Sequence, residues 1–146
     1  MNSAVATTTT IADALETGLP QLLLQFVVTI VLLMVGVAIY TTFTPYKELE
    51  LVRQNNTTGG VLYAGTIIAL AIPLASLLAT ISYLLDIVVW GIVALVIQLL
   101  TLAVVSLLLL RHLRVMIEAG NVAAALTVAG TQIAVALLNA AAMAPT

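Results

Sequence analysis

Four uncharged stretches, over residues 19–43, 59–84, 87–110 and 121–143, are each long enough to cross a bilayer. At 1.5 Å per helical residue, some 24 residues reach roughly 36 Å, which spans a 30 Å hydrocarbon core with modest tilt. Backbone groups inside lipid must be satisfied within the segment, so each stretch is expected to be an α-helix. Composition agrees: 63% of the 146 residues are hydrophobic and 7% charged, whereas soluble domains carry roughly 25% charged residues. The chain is expected to be an all-α, polytopic transmembrane four-helix bundle.

Charge placement orients the spans. Lys47 and Arg53 lie between spans one and two, and Arg111 and Arg114 between spans three and four. Both basic loops therefore share one face, which the positive-inside rule assigns to the cytoplasm, leaving both termini extracytoplasmic. Residues 84–86 form the expected tight hairpin between spans two and three.

The chain also repeats itself. When Asn56 is laid on Asn121, the run Ala64-Gly65-Thr66 falls on Ala129-Gly130-Thr131, and Ile68, Ala69, Ala71 and Ala75 fall on Ile133, Ala134, Ala136 and Ala140. An even number of spans per unit preserves orientation, so the reading is two tandem two-helix repeats related by an axis along the membrane normal. The divisions are a polar lead over 1–18, a first unit over 19–84 and a second over 85–146. Lacking a basic n-region and carrying a threonine tract over 7–10, Asp13 and Glu16, the lead does not read as a secretory signal.

Small residues at i, i+4 spacing let helices approach closely in lipid. Span two carries Gly60/Ala64, Gly65/Ala69 and Ala71/Ala75/Ala79; span four carries Ala125/Ala129, Gly130/Ala134 and Ala136/Ala140/Ala144. Spans one and three are rich in Leu, Val and Ile. Spans two and four are expected at the centre, with one and three outside.

Polar residues inside the spans are the candidates for function. Counted from the cytoplasmic ends, Gln98 and Gln132 both fall at about 18 Å, and Gln25 and Asn139 at about 27 Å. Each coincidence suggests an interhelical amide pair, read as bundle glue or as a polar path for a small solute. Asp86 is expected to cap span three, or to bind an ion, with Ser82 and Tyr83 close by; Trp90 suits an interfacial anchor. Pro73 is expected to bend span two and serves either structure or a hinge. Thr44-Pro45 reads as the start of a short interfacial helix, with Leu49 and Val52 as a weak apolar face. Asn55-Asn56 and Gly120-Asn121 read as a helix stop followed by a cap. His112 reads as a solvated headgroup-level side chain.

Several chemistries are excluded. There are no cysteines and one histidine, which removes disulfides, thiolate nucleophiles and bis-histidine haem, and leaves zinc short of donors. A net charge of −2 gives no case for nucleic acid. No cofactor is expected.

The strings TPYKELELVRQNN, IPLASLLATISYLLDIVVWGIVALVIQLL, IEAGNVAAAL and LLNAAAM resemble the YjfL-like bacterial inner-membrane family, also called domain of unknown function 350 or UPF0719. The resemblance runs from about Gln25 to Met143. It rests on Thr44-Pro45-Tyr46 with Glu48, Pro73-Leu74, Ser82 with Asp86, Trp90, Gln98, Gly120-Asn121 and Asn139-Ala140-Ala141. The first copy departs from the family's Gly-Asn, with Asn55-Asn56 followed by Thr57-Thr58. It implies a multi-pass protein of the bacterial inner membrane and carries no activity; it points to accessory proteins of membrane-stress or membrane-remodelling systems.

The function expected is a non-enzymatic scaffold or partner-binding protein, forming a homo-oligomer in the lipid bilayer and meeting a peripheral cytoplasmic protein. Tyr46, Lys47, Glu48, Arg53, Arg111 and Arg114 are its candidate docking residues. The alternative is a small channel or transporter using Gln25, Asp86, Gln98, Gln132 and Asn139, with Pro73, Asn56 and Asn121 as further candidates.

Overall fold

The computed structural model describes residues 2–44 and 48–143, with the side chains of 2–10 and 109–112 outside the description. Pro45, Tyr46 and Lys47, and the side chains of Arg111 and His112, therefore lie outside the described residues. The described residues form five helices: α1 (Asn2–Phe43), α2 (Glu48–Arg53), α3 (Thr57–Thr80), α4 (Leu84–Glu118) and α5 (Val122–Met143). Four of them, α1, α3, α4 and α5, are long and apolar enough to cross a membrane.

The centre is where small residues place it. The α3–α5 pair makes the most extensive contact in the bundle, and α1 packs against α3 and α4. Only 17% of the most apolar window of α1 is buried in the protein, against 44% for α3, so α1 is the most lipid-facing span. At the α3–α5 crossing, a Cβ built on Gly65 would lie 2.5 Å from the Ala129 Cβ and 3.0 Å from its Cα. The two backbones meet where Gly65 has no side chain. Half of the small-residue rows do this work. Gly65/Ala69, Ala125/Ala129 and Ala136/Ala140 are buried, whereas Ala64, Ala75, Ala79, Gly130 and Ala134 are exposed. Spacing identifies such rows but does not say which of them faces a neighbour.

Helix ends account for the loops. The α2 helix stops at Asn55, which adopts φ 59°, while the Asn56 N–H donates to the Leu51 carbonyl at 2.9 Å. The α4 helix stops the same way at Gly120, φ +84°, with the Asn121 N–H donating to the Met116 carbonyl at 2.9 Å. Both are left-handed C-terminal stops of the Schellman type, which glycine and asparagine tolerate. The next residue then caps the following helix. Asn56 Oδ1 accepts from the Thr58 and Gly59 N–H groups at 2.9 and 3.4 Å, and Asn121 Oδ1 accepts from the Ala124 N–H at 3.2 Å. Asn56 also takes a short hydrogen bond from the Thr58 hydroxyl. The two asparagines are thus helix caps.

Three boundaries differ from expectation. The polar lead is continuous with span one, because nothing in it breaks the helix and α1 even passes through Pro20. The hairpin is residues 81–83, with Ile81 and Tyr83 extended, rather than 84–86. Tyr83 is the N-cap of α4 and makes no side-chain cap bond; Asp86 sits exposed in the first turn, so it complements the helix dipole without capping. The α4 helix also runs to Glu118, two turns past the expected end, because Leu113 and Ile117 continue its apolar face onto a cluster of Leu62, Ala124, Ala125 and Val128. Arg114 therefore projects from a helix rather than a loop, paired with Glu118 at 2.8 Å. Pro73 is buried within an α3 helix that continues to Thr80.

Candidate functional site

Two buried polar clusters lie at different depths in the bundle. The first forms where α2 folds back onto the spans. Thr66 on α3 donates its hydroxyl to Gln132 Oε1 at 3.2 Å. Gln132 on α5 donates its amide nitrogen to the Tyr40 hydroxyl at 3.1 Å. Tyr40, near the end of α1, donates in turn to Glu48 Oε1 at 3.1 Å. Thr66 and Gln132 are fully buried, and Tyr40 and Glu48 are 5% and 3% exposed. Four elements thus meet through one chain of hydrogen bonds.

Glu48 is the unusual member. Its Oε2 is buried with no hydrogen-bond partner. Burial raises its carboxyl from 4.5 to about 7, against a smaller lowering from the Tyr40 hydrogen bond. An ionised carboxylate without a counter-charge is costly away from water, so the group holds a proton well above the ordinary glutamate range. Glu48 was expected on an exposed docking face, and the structure corrects this. It occupies the first turn of α2 and points into the bundle, because α2 is seated on α3 where Leu51 meets Gly59.

The second cluster lies toward the α3–α4 hairpin. Asn139 donates its amide nitrogen to Gln98 Oε1 at 3.1 Å and to the Ala94 carbonyl at 3.3 Å. Gln98 is fully buried and its Nε2 finds no partner. Nearby, Gln25 donates to the Ser82 carbonyl at 2.6 Å, and Gln21 to the same oxygen at 2.8 Å. Ser82 lies in the extended hairpin, where its carbonyl lacks a helical partner, so two α1 amides one turn apart satisfy it. Asn139 also lines a mostly apolar cavity of about 850 Å³ with Leu77, Trp90, Val93 and Ile97.

The expected amide pairs are therefore exchanged: Gln98 meets Asn139 instead of Gln132, and Gln25 meets a backbone carbonyl instead of Asn139. The cause is the length of α4. Counting depth from residue 110 omits the two further turns to Glu118, about 12 Å, and that offset lowers Gln98 to the level of Asn139. Asp86 joins neither cluster and is exposed, as is Arg53. Sequence reasoning missed Tyr40 and Thr66 as members of a site, and Gln21 as a partner of Ser82. One signal was available: with Asn56 laid on Asn121, Glu48 falls on the apolar Leu113, an acid at an inward-facing position.

Asn139→Leu is expected to strip Gln98 of its one amide contact and to cost about 0.6–1.7 kcal/mol. Unfolding in mixed detergent–SDS micelles measures this; a variant as stable as the parent would mean that the Gln98–Asn139 bond contributes nothing.

The described geometry contains a buried carboxyl, a hydrogen-bond relay behind it and a lateral apolar cavity. Residues 14–143 match the family model described as Domain of Unknown Function (DUF350). The chain is similar to the UPF0719 inner membrane protein YjfL of Escherichia coli (strain K12) and of Escherichia coli O157:H7, at 35% identity over 82 residues in each case. These matches cover 56% of this chain and 62% of each relative's length. No solved structure matches the chain.

Proposed function

The chain belongs to the DUF350 family and is a multi-pass inner-membrane protein, and from that premise we propose that it is a non-enzymatic scaffold, a partner-binding component of a membrane-stress or membrane-remodelling system. The observation that carries this reading is the pairing of the intramembrane amides. Gln25, Gln98, Gln132 and Asn139 each bond to protein groups, whereas a conduit needs polar groups turned toward a wetted path. The cavity that Asn139 reaches is lined chiefly by apolar side chains, which favours a greasy occupant over an ion.

The same reading takes the bundle as two tandem two-span units with both termini outside. The matched left-handed stops at Asn55 and Gly120, each followed by a capping asparagine, support the duplication. The basic residues support the orientation. Docking is assigned to the outer face of α2, where Leu49, Val52 and Arg53 are exposed, and to the exposed Arg114 near the end of α4. Exposed Gly130 and Ala134 on α5 suit close contact with a second copy.

A photo-crosslinker placed at Val52 in living cells tests the proposal. It is expected to capture a defined protein besides the chain itself, with capture reduced at least several-fold by Arg53→Glu. Self-crosslinks alone, together with solute or ion flux through purified protein in liposomes that Asp86→Asn alters, would replace the scaffold with the conduit.

A further inference from the structure

We infer that the Glu48 carboxyl is a proton-binding site, and that the bound proton holds α2 against the bundle. The inference goes beyond the docking reading and does not depend on any partner.

Geometry carries it. Glu48 is almost completely buried, and its only hydrogen bond among the described residues comes from the Tyr40 hydroxyl. That hydroxyl already accepts from Gln132, so its proton is committed to Glu48 Oε1. Oε2 is buried without a partner. Among the described residues, the elements packed around the carboxyl offer no positive charge to replace a proton. From α1 the ionisable group facing it is Tyr40; the turn of α3 that receives α2 presents Thr58 and Gly59, and Tyr63 lies a turn further on; from α5 the nearest relay member is the neutral Gln132. On α2 itself, Glu50 and Arg53 are exposed.

The helix that carries Glu48 is short. It has six residues, too few for a stable isolated helix, and ends at the left-handed Asn55. A Cβ added to Gly59 would collide with the Leu51 Cβ, so the seat has no slack. The buried acid and the Leu51–Gly59 contact hold α2 in place together. When the carboxyl ionises, the helix must either keep an unpaired charge out of water or turn Glu48 outward, and outward movement releases Leu51 from Gly59.

The direction of the pH effect follows from burial. The docked carboxyl is raised to about 7 from its ordinary 4.5, so the docked form binds the proton more tightly than the released form. Docking is strongest below pH 4.5 and weakens as pH rises through the interval to about 7, above which it is constant. Across that interval the released-to-docked ratio is expected to grow on the order of a hundredfold.

The chain has no cysteine, which makes the test direct. Leu51→Cys and, as an exposed control, Val52→Cys are introduced singly into the full chain in lipid nanodiscs, and maleimide labelling is timed from pH 4.5 to 8.5. The Leu51→Cys rate divided by the Val52→Cys rate cancels thiolate chemistry. The quotient is expected to climb between about pH 4.5 and 7 and then level off, and to stay low and flat when Glu48→Gln is added. Tyr40→Phe provides a second variant: loss of the donated hydrogen bond is expected to move the levelling-off point to higher pH, which a purely structural role for Tyr40 would not do. Infrared difference spectra of the unlabelled protein are expected to show a protonated-carboxyl band that Glu48→Gln removes. A quotient independent of pH, an unchanged band in Glu48→Gln, or a quotient set by sodium concentration at fixed pH would overturn the proposal.

Discussion

Gly65→Val is expected to destabilise the bundle by about 3 kcal/mol, the upper end of the overpacking range, while Gly130→Val leaves the packing within a single chain unchanged or slightly more stable. The two glycines stand at equivalent places when Asn56 is laid on Asn121, yet their surroundings differ completely. A Cβ on Gly65 runs into the Ala129 Cβ and backbone; a Cβ on Gly130 has nothing within 4 Å. Ala129 cannot rotate away, so relief requires α3 and α5 to separate along the most extensive contact in the protein. In lipid that contact rests on van der Waals packing, and it weakens steeply as helices part. Gly130 gains by contrast, because glycine is a poor helix former. SDS-induced unfolding in detergent micelles, read by circular dichroism, measures both variants. Equal stability of the two would remove the α3–α5 seam as the centre of the bundle.

The other large effect is expected from Ile117→Ala, at about 2–4 kcal/mol. Ile117 is fully buried among Leu62, Ala124, Ala125 and Val128, and it fastens the end of α4 to the first turns of α3 and α5. Its carbonyl also lies 3.0 Å from the Thr58 hydroxyl oxygen, so a cavity here loosens a backbone contact as well as a side-chain one. Val115→Ala, two residues away but 76% exposed, is expected to be neutral. Hydrogen exchange should localise the damage to the last two turns of α4 and the start of α5. Uniform loss of protection across all spans would show instead that the α4 tail has no stability of its own.

Much of this architecture was legible in the chain. Long uncharged stretches can only be helices in lipid, so span number, helical class and the alternation of direction follow from composition and hydrogen-bond accounting. Asn55-Asn56 and Gly120-Asn121 marked their stops and caps correctly, because the left-handed conformation and the side-chain cap are local properties of those residues. The buried amides were also recognisable as bonded groups, since hydrocarbon leaves them no solvent.

Their partners were not recognisable. Gln98 and Gln132 had matching depths on the assumption that α4 ends with its last apolar run, but Ile117 finds a buried seat and the helix continues past Arg111 and Arg114. The resulting offset reassigns each amide. Glu48 was misplaced for a related reason. Its sequence neighbours Lys47, Glu50 and Arg53 suggest a solvated face, and only the seating of Leu51 on Gly59 turns it toward Tyr40.

By itself, then, the sequence determined a membrane-embedded helical bundle, the approximate position of each span and the residues that end the helices. These follow from the cost of an unpaired peptide group in hydrocarbon, which every residue of a span bears wherever its neighbours are. Tertiary structure alone decided which small-residue rows form the seam, which amides pair, and that Glu48 is buried against Tyr40 instead of exposed to solvent. Those depend on how far one helix is offset along another, and an offset of two turns leaves the composition of each span unaltered while changing every contact between them.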